Sequence, residues 1–140
     1  MSLAATADLV ASAVTGHAAV LAFNVVTLEH AEGIAEGAER AGVAALLQVS
    51  ENTVRFHGGR LAPLVSACAR IAGQSSAQLA IHLDHFQDVT LIAEAIDAAA
   101  GLGVTSIMVD AAHLSYDENV ERTHGFVELG HRAGLWVEAE

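Results

Sequence analysis

"LAIHLDHF", Leu79–Phe86, begins as a buried strand and ends as chemistry. Leu79, Ala80, Ile81 and Leu83 supply an apolar run of strand length, yet His82, Asp84 and His85 crowd its carboxyl end, where a strand meets solvent. Strict alternation puts His82 and Asp84 on one face and Leu83 and His85 on the other. Asp84 and His85 can therefore share a pocket only if the pleat breaks at the strand end, where the chain turns into "FQDVT". His82 is expected to point away from that pair, as a hydrogen-bonded packing residue. A neutral imidazole is a good Zn²⁺ ligand, and a neighbouring carboxylate can move a proton on a metal-bound substrate. A terminal aspartate can equally cap the next helix.

Outward from this strand the sequence alternates short apolar runs with longer Ala-rich runs carrying charges at helical spacing. That alternation predicts βαβ units and a parallel sheet. Strands are expected at 20–26, 43–50, 79–85, 106–111 and 135–140, and helices at 28–41, 60–72, 89–101 and 117–133, after a leading helix near 4–14. Gly42, Gly73 and Gly134 are placed to end helices in a left-handed turn, as is the "GLG" at 101–103. Thr27 and Asp88 are candidate N-caps. Polar residues gather where the strands end: Asn24; Gln48 and Ser50; Asp84 and His85; Asp110; Glu138 and Glu140. In doubly wound sheets and in (β/α)₈ barrels alike, that edge carries ligands and catalysis. "FNVVTLEHAEG" has no Gly-rich turn after the first strand, which argues against a dinucleotide or P-loop fold. Residues 49–59, "VSENTVRFHGG", read as a polar loop able to hydrogen-bond a sugar hydroxyl or a phosphate.

At 140 residues and 53% hydrophobic, the chain has the size and composition of one compact domain. No window of eighteen uncharged apolar residues predicts a membrane span, and Asp8 with no basic start argues against a signal peptide. The expectation is a soluble, cytoplasmic protein. The single cysteine, Cys68, excludes an internal disulfide. A formal charge of −11 repels nucleic acid and anionic membranes. The chain contains no lysine, so none of its residues can form a Schiff base. His17, His30, His57, His124 and His131 show no ligand spacing, His113 follows a strand end and stays open, and no Ser-His-Asp or Cys-His set assembles.

Taken together, "AFNVVTLEHAEGI", "LLQVSENTVRFHGG", "LAIHLDHFQD", "SIMVDAAHLSYDENV" and "GLWVEAE" resemble the amino-terminal half of the class II, metal-dependent ketose-bisphosphate aldolases, which act on fructose or tagatose bisphosphate. The resemblance runs from about residue 20 to 140 and implies a (β/α)₈ TIM barrel, of which the first five strands and four to five helices lie here. It makes residues 1–140 the amino-terminal part of a single barrel domain. It implies Zn²⁺ as cofactor, a phosphorylated ketose as substrate, and a homo-oligomeric full-length protein, dimer or tetramer.

By the same resemblance, Asp84 is the acid-base residue acting on the substrate C4 hydroxyl, and His85 is one of three zinc histidines. Glu140 belongs to the metal pocket, Asp110 lies near an accessory metal position, and Ser50 and Asn24 contact substrate. Phe86 stands where the family commonly has glycine and is expected to narrow or reshape the pocket mouth. Ala111 and Ala112 replace a frequent Gly-Ser, removing a hydroxyl. The family's other two zinc histidines and its Gly-rich phosphate loops fall beyond residue 140, so the chain alone is not expected to be a competent aldolase. The rival expectations are a non-catalytic barrel relative or structural half-barrel that binds a partner, and a metal aldolase for another phosphorylated sugar acid or deoxy sugar.

Overall fold

The computed structural model describes residues 3–140. Its elements follow in chain order: α1 Thr6–Thr15, β1 Leu21–Asn24, α2 Leu28–Ala41, β2 Ala45–Ser50, α3 Glu51–Phe56, α4 Leu61–Gln74, β3 Leu79–Phe86, α5 Val89–Leu102, β4 Ser106–Val109, α6 Tyr116–Arg132 and β5 Trp136–Ala139. All neighbouring strands are parallel, in the order β1-β2-β3-β4-β5. A doubly wound sheet reverses direction at a switch point, whereas a strictly sequential parallel order is an arc of a (β/α)₈ barrel. The five-stranded arc is that partial barrel.

Each helix covers the sheet with a stripe of small or branched apolar residues. In α2 the buried positions are Ala31, Ala35 and Ala38, and in α5 they are Ile92, Ala95, Ile96 and Ala99, at the three- and four-residue spacing of one helical face. These meet the outward residues of the strands, including Leu47, Val49, Ile81, Leu83 and Ile107, in one core. The inward face is different: at the barrel's amino-terminal end Leu46 and Ala80 pack on Leu9 of α1, which plugs the bottom.

The predicted caps are present. The N–H of Thr27 donates to His30 Nδ1 at 3.1 Å, and Asp88 accepts from the N–H groups of Thr90 and Leu91. Gly42 and Gly103 end their helices left-handed, at φ 66° and 74°. Gly73 does not: α4 continues through it to Gln74 and leaves at an extended Ser75. Residues 51–56 are also not loop but the short helix α3, capped by Ser50, whose hydroxyl accepts from the Thr53 N–H at 3.2 Å. A six-residue helix with only Val54 as a buried aliphatic shows no apolar period to read.

β1 and β5 are the edges of the arc. Leu21 and Phe23 of β1 are exposed, and with Ile34, Val43 and the Gly33/Gly37 face of α2 they line an apolar groove of about 720 Å³. Among the described residues, no helix is long and apolar enough to cross a membrane.

Candidate active site

The site depends on one break in β3. Leu83 pairs with Ile107, but the next pair is Phe86 with Val109, so β3 uses three steps where β4 uses two. The extra residue is a bulge, taken up at His85, whose φ is +49°. A left-handed conformation is uncommon for a residue with a β-carbon and is found where surrounding structure imposes it. The consequence is a change of face. Asp84 keeps the inward direction that alternation gives it, and His85, which should point outward, turns inward beside it.

Phe86 takes the outward place instead. It is fully buried in the core between sheet and helices, the largest side chain so enclosed. The expectation that it narrows the pocket mouth is therefore overturned, because the bulge carries its ring to the other side of the sheet.

Four acid-base groups converge at the carboxyl edge. His85 Nδ1 lies 3.2 Å from Asp110 Oδ2 and 3.2 Å from Glu140 Oε2, while its Nε2 is 3.9 Å from Asp84 Oδ1. Ser50 sits in register with Asp84 on the adjacent strand. Gln48 donates its amide to Asn24 Oδ1 at 3.0 Å and also hydrogen-bonds Asp84, so Asn24 reaches the site through Gln48 rather than directly.

His82 corrects a second expectation. It is a buried, hydrogen-bonded residue, with Nδ1 2.9 Å from Ser106 Oγ, and Ser106 continues to Thr6 Oγ1 at 2.8 Å. It does not point away, however. Its Nε2 lies 3.9 Å from Asp84 and 3.7 Å from Glu138, on the inward face that alternation assigns to residues 82 and 84. Burial, with a smaller push from His85, holds its pKa down to about 4, so it is neutral at physiological pH.

The carboxylates are driven apart by their surroundings. Burial raises the pKa of Asp84, and although His85 and Gln48 pull it back, the charges of Glu140 and Asp110 add to the rise. Asp110 is equally enclosed, but hydrogen bonds from Gln87 Nε2 at 2.8 Å, from the Ala112 N–H at 3.1 Å and from His85 outweigh burial and hold it below the usual carboxylate range. The pKa of His85 is raised, first by its hydrogen bond to Asp110, against burial, and then by the surrounding negative charge. The two acids are thus shifted in opposite directions by their surroundings.

His85, Asp110 and Glu140 are also the group among the described residues that can hold a metal ion: one ligand atom from each lies within 4.8 Å of the others. Ligands about 2.0–2.2 Å from a tetrahedral ion are separated by roughly 3.3 Å, close to the spacing of His85 Nδ1 from both carboxylates. An ion there would displace the proton that His85 otherwise holds. Two residues the sequence reading passed over also shape the site: Gln87, inside the turn, and Glu51, whose carboxylate binds that turn. Only their packing, not their pattern, marks them.

The family model described as class II fructose-bisphosphate aldolase matches residues 4–140. Fructose-bisphosphate aldolase of Geobacillus stearothermophilus is 36% identical over 141 residues, covering 100% of this chain and 48% of that protein. Among solved structures, a Coccidioides immitis protein assigned as a fructose-1,6-bisphosphate aldolase superposes with a TM-score of 0.88 at 30% identity, over 96% of this chain and 50% of its own. The YdjI aldolase of Escherichia coli K12 superposes with a TM-score of 0.84 at 25% identity, over 98% and 51%. The chain thus spans about half the length of the relatives it matches.

Proposed function

The chain belongs to the class II fructose-bisphosphate aldolase family, and from that premise we propose that the complete protein is a Zn²⁺-dependent aldol lyase. Its substrate is a phosphorylated ketose of the fructose- or tagatose-1,6-bisphosphate type, cleaved reversibly to dihydroxyacetone phosphate and an aldehyde phosphate. The observation that carries this reading is the bulge at His85, which sets a proton-exchanging Asp84 beside a three-ligand cluster.

His85, Glu140 and Asp110 are the residues that would hold the ion. When bound, it supplies polarisation of the ketose carbonyl and charge stabilisation as the carbon–carbon bond breaks. Asp84 accepts the C4 hydroxyl proton, and burial, by raising its pKa, makes it a stronger base than an exposed aspartate. The electron pair of the C3–C4 bond then forms the C2=C3 double bond as the carbonyl pair moves onto its oxygen, C4 leaves as the aldehyde, and a proton taken up at C3 with return of the pair from oxygen completes dihydroxyacetone phosphate. In the reverse direction Asp84 returns the proton. Gln48 orients the Asp84 carboxylate, Asn24 holds Gln48 in place, and Ser50 lines the approach and hydrogen-bonds substrate.

Residues 1–140 form the amino-terminal part of a single barrel domain in this reading, with the rest of the barrel closing the β1 and β5 edges. The other two zinc histidines and the phosphate loops that the family resemblance implies fall beyond residue 140, so activity belongs to the complete barrel, acting in the cytoplasm as a homo-oligomer.

The test is metal content and chelator-sensitive cleavage of fructose and tagatose bisphosphates by the complete protein, with His85→Ala and Asp84→Ala. Loss of bound zinc in the first variant, and loss of cleavage with zinc retained in the second, is the expected pair. Full cleavage by Asp84→Ala would remove its acid-base role. No cleavage of any phosphorylated ketose by a zinc-loaded protein would favour the non-catalytic reading.

A further inference from the structure

The cleavage chemistry leaves one buried charge unused. Glu51, the first residue of α3, is only 5% exposed. Its Oε2 accepts from the backbone N–H of Gln87 at 2.6 Å and of Asp88 at 2.8 Å, and its Oε1 meets the Arg55 guanidinium at 2.6 Å. A carboxylate enclosed in this way is stable only when its oxygens are matched by donors, and here both are. The two N–H groups belong to the residues entering α5, which have no helical partner of their own.

The same turn reaches the cluster. Gln87, fixed at its backbone by Glu51, donates its side-chain Nε2 to Asp110 Oδ2 at 2.8 Å, the oxygen that lies 3.2 Å from His85 Nδ1. Between them stand only Phe86, locked in the core, and His85 in its left-handed conformation. We propose that Glu51 is a positioning residue for this site: its carboxylate fixes the turn after β3 and, through Gln87, sets the direction of Asp110 and the place of His85. The inference rests on reading His85, Asp110 and Glu140 as metal ligands.

The experiment uses Zn²⁺ alone as the probe, titrated into the complete metal-free protein against a chromophoric chelator. Glu51→Ala is expected to weaken zinc binding about ten-fold or more, the usual effect of removing a group that orients a ligand. Glu51→Gln, whose amide oxygen can still accept both N–H groups, should restore most of it. In the metal-free protein, the Gln87 side-chain amide resonances should move toward those of a solvated glutamine in Glu51→Ala and return in Glu51→Gln. If Glu51→Ala does not fold, Gln87→Leu breaks the relay beyond the turn and carries the same expected loss of affinity. A folded Glu51→Ala with unchanged zinc affinity and unmoved Gln87 resonances overturns the proposal, leaving Glu51 a brace for the fold. Wild-type protein that takes up no His85-dependent zinc overturns the metal reading instead, and the Gln87 resonances still decide whether Glu51 sets the turn.

Discussion

Acidification should destabilise this fold through His82. Its imidazole is enclosed at the centre of the arc, and burial, with a smaller contribution from His85, holds its pKa down to about 4 from 6.5. In the unfolded chain the ring is solvated and takes its proton near the ordinary value. Between these two points the unfolded state binds the extra proton and the folded state does not, so stability is complete above about pH 6.5 and falls as pH drops toward about 4. The full loss is about 3 kcal/mol, at about 1.4 kcal/mol per pH unit, a large part of the stability of an ordinary domain. Two carboxylates oppose it. Glu138 at 3.7 Å and Asp84 at 3.9 Å would favour an imidazolium, and if they prevailed over burial the sign would reverse. Urea unfolding of wild type and His82→Gln at about pH 7 and about pH 4.5 separates the cases, since glutamine can keep the bond to Ser106 but cannot titrate. Wild type should lose most of that 3 kcal/mol relative to the variant. Parallel profiles, or a relative gain by wild type in acid, would refute burial as the dominant effect.

Other consequences are equally direct. If the complete protein cleaves ketose bisphosphates as proposed, Asp84→Asn should lower kcat/KM about 10²- to 10⁴-fold, the range for losing a general base, with zinc content retained, and the wild-type rate should rise with pH through the raised Asp84 pKa. His85→Gly should be more stable to urea than His85→Ala by about 1 kcal/mol, because only glycine adopts φ near +49° without a steric cost; an alanine variant of equal stability would contradict the left-handed bulge. Cys68 is fully buried, which pushes its thiol up to about 11. It should resist iodoacetamide in the native protein and react on unfolding. Phe86→Ala should cost about 3–5 kcal/mol in urea unfolding, whereas a residue at a pocket mouth would cost little.

The architecture was readable because every strand and every helix but the short α3 announces itself locally. Apolar runs at period two and Ala stripes at helical period are written in consecutive residues, as are the Thr27 and Asp88 caps. The site was readable as a set of strand ends, since parallel strands bring their carboxyl termini to one edge regardless of side-chain detail. The direction of His85 was not. Whether residue 85 follows the pleat or breaks it depends on pairing with Ile107 and Val109, more than twenty residues away. Phe86 was misread for the same reason, because its face is set by the break one residue earlier. His82 shows the opposite failure: simple alternation already placed it with Asp84, and its hydrogen bond to Ser106 is compatible with that face. Glu51 lies in a stretch that reads as a polar loop, and only the folded turn of Gln87 and Asp88 shows what its carboxylate binds.

The central claim is that the bulge at His85 builds a metal site beside a proton-exchanging aspartate. Anomalous diffraction at the zinc edge, from crystals of the zinc-loaded complete protein, tests it most directly. The account predicts a peak about 2.0–2.2 Å from a nitrogen of His85 and within coordinating distance of Glu140 or Asp110, with Asp84 adjacent and free of the ion. A zinc peak bound without His85, or a His85 ring turned outward into the helix layer, would contradict it.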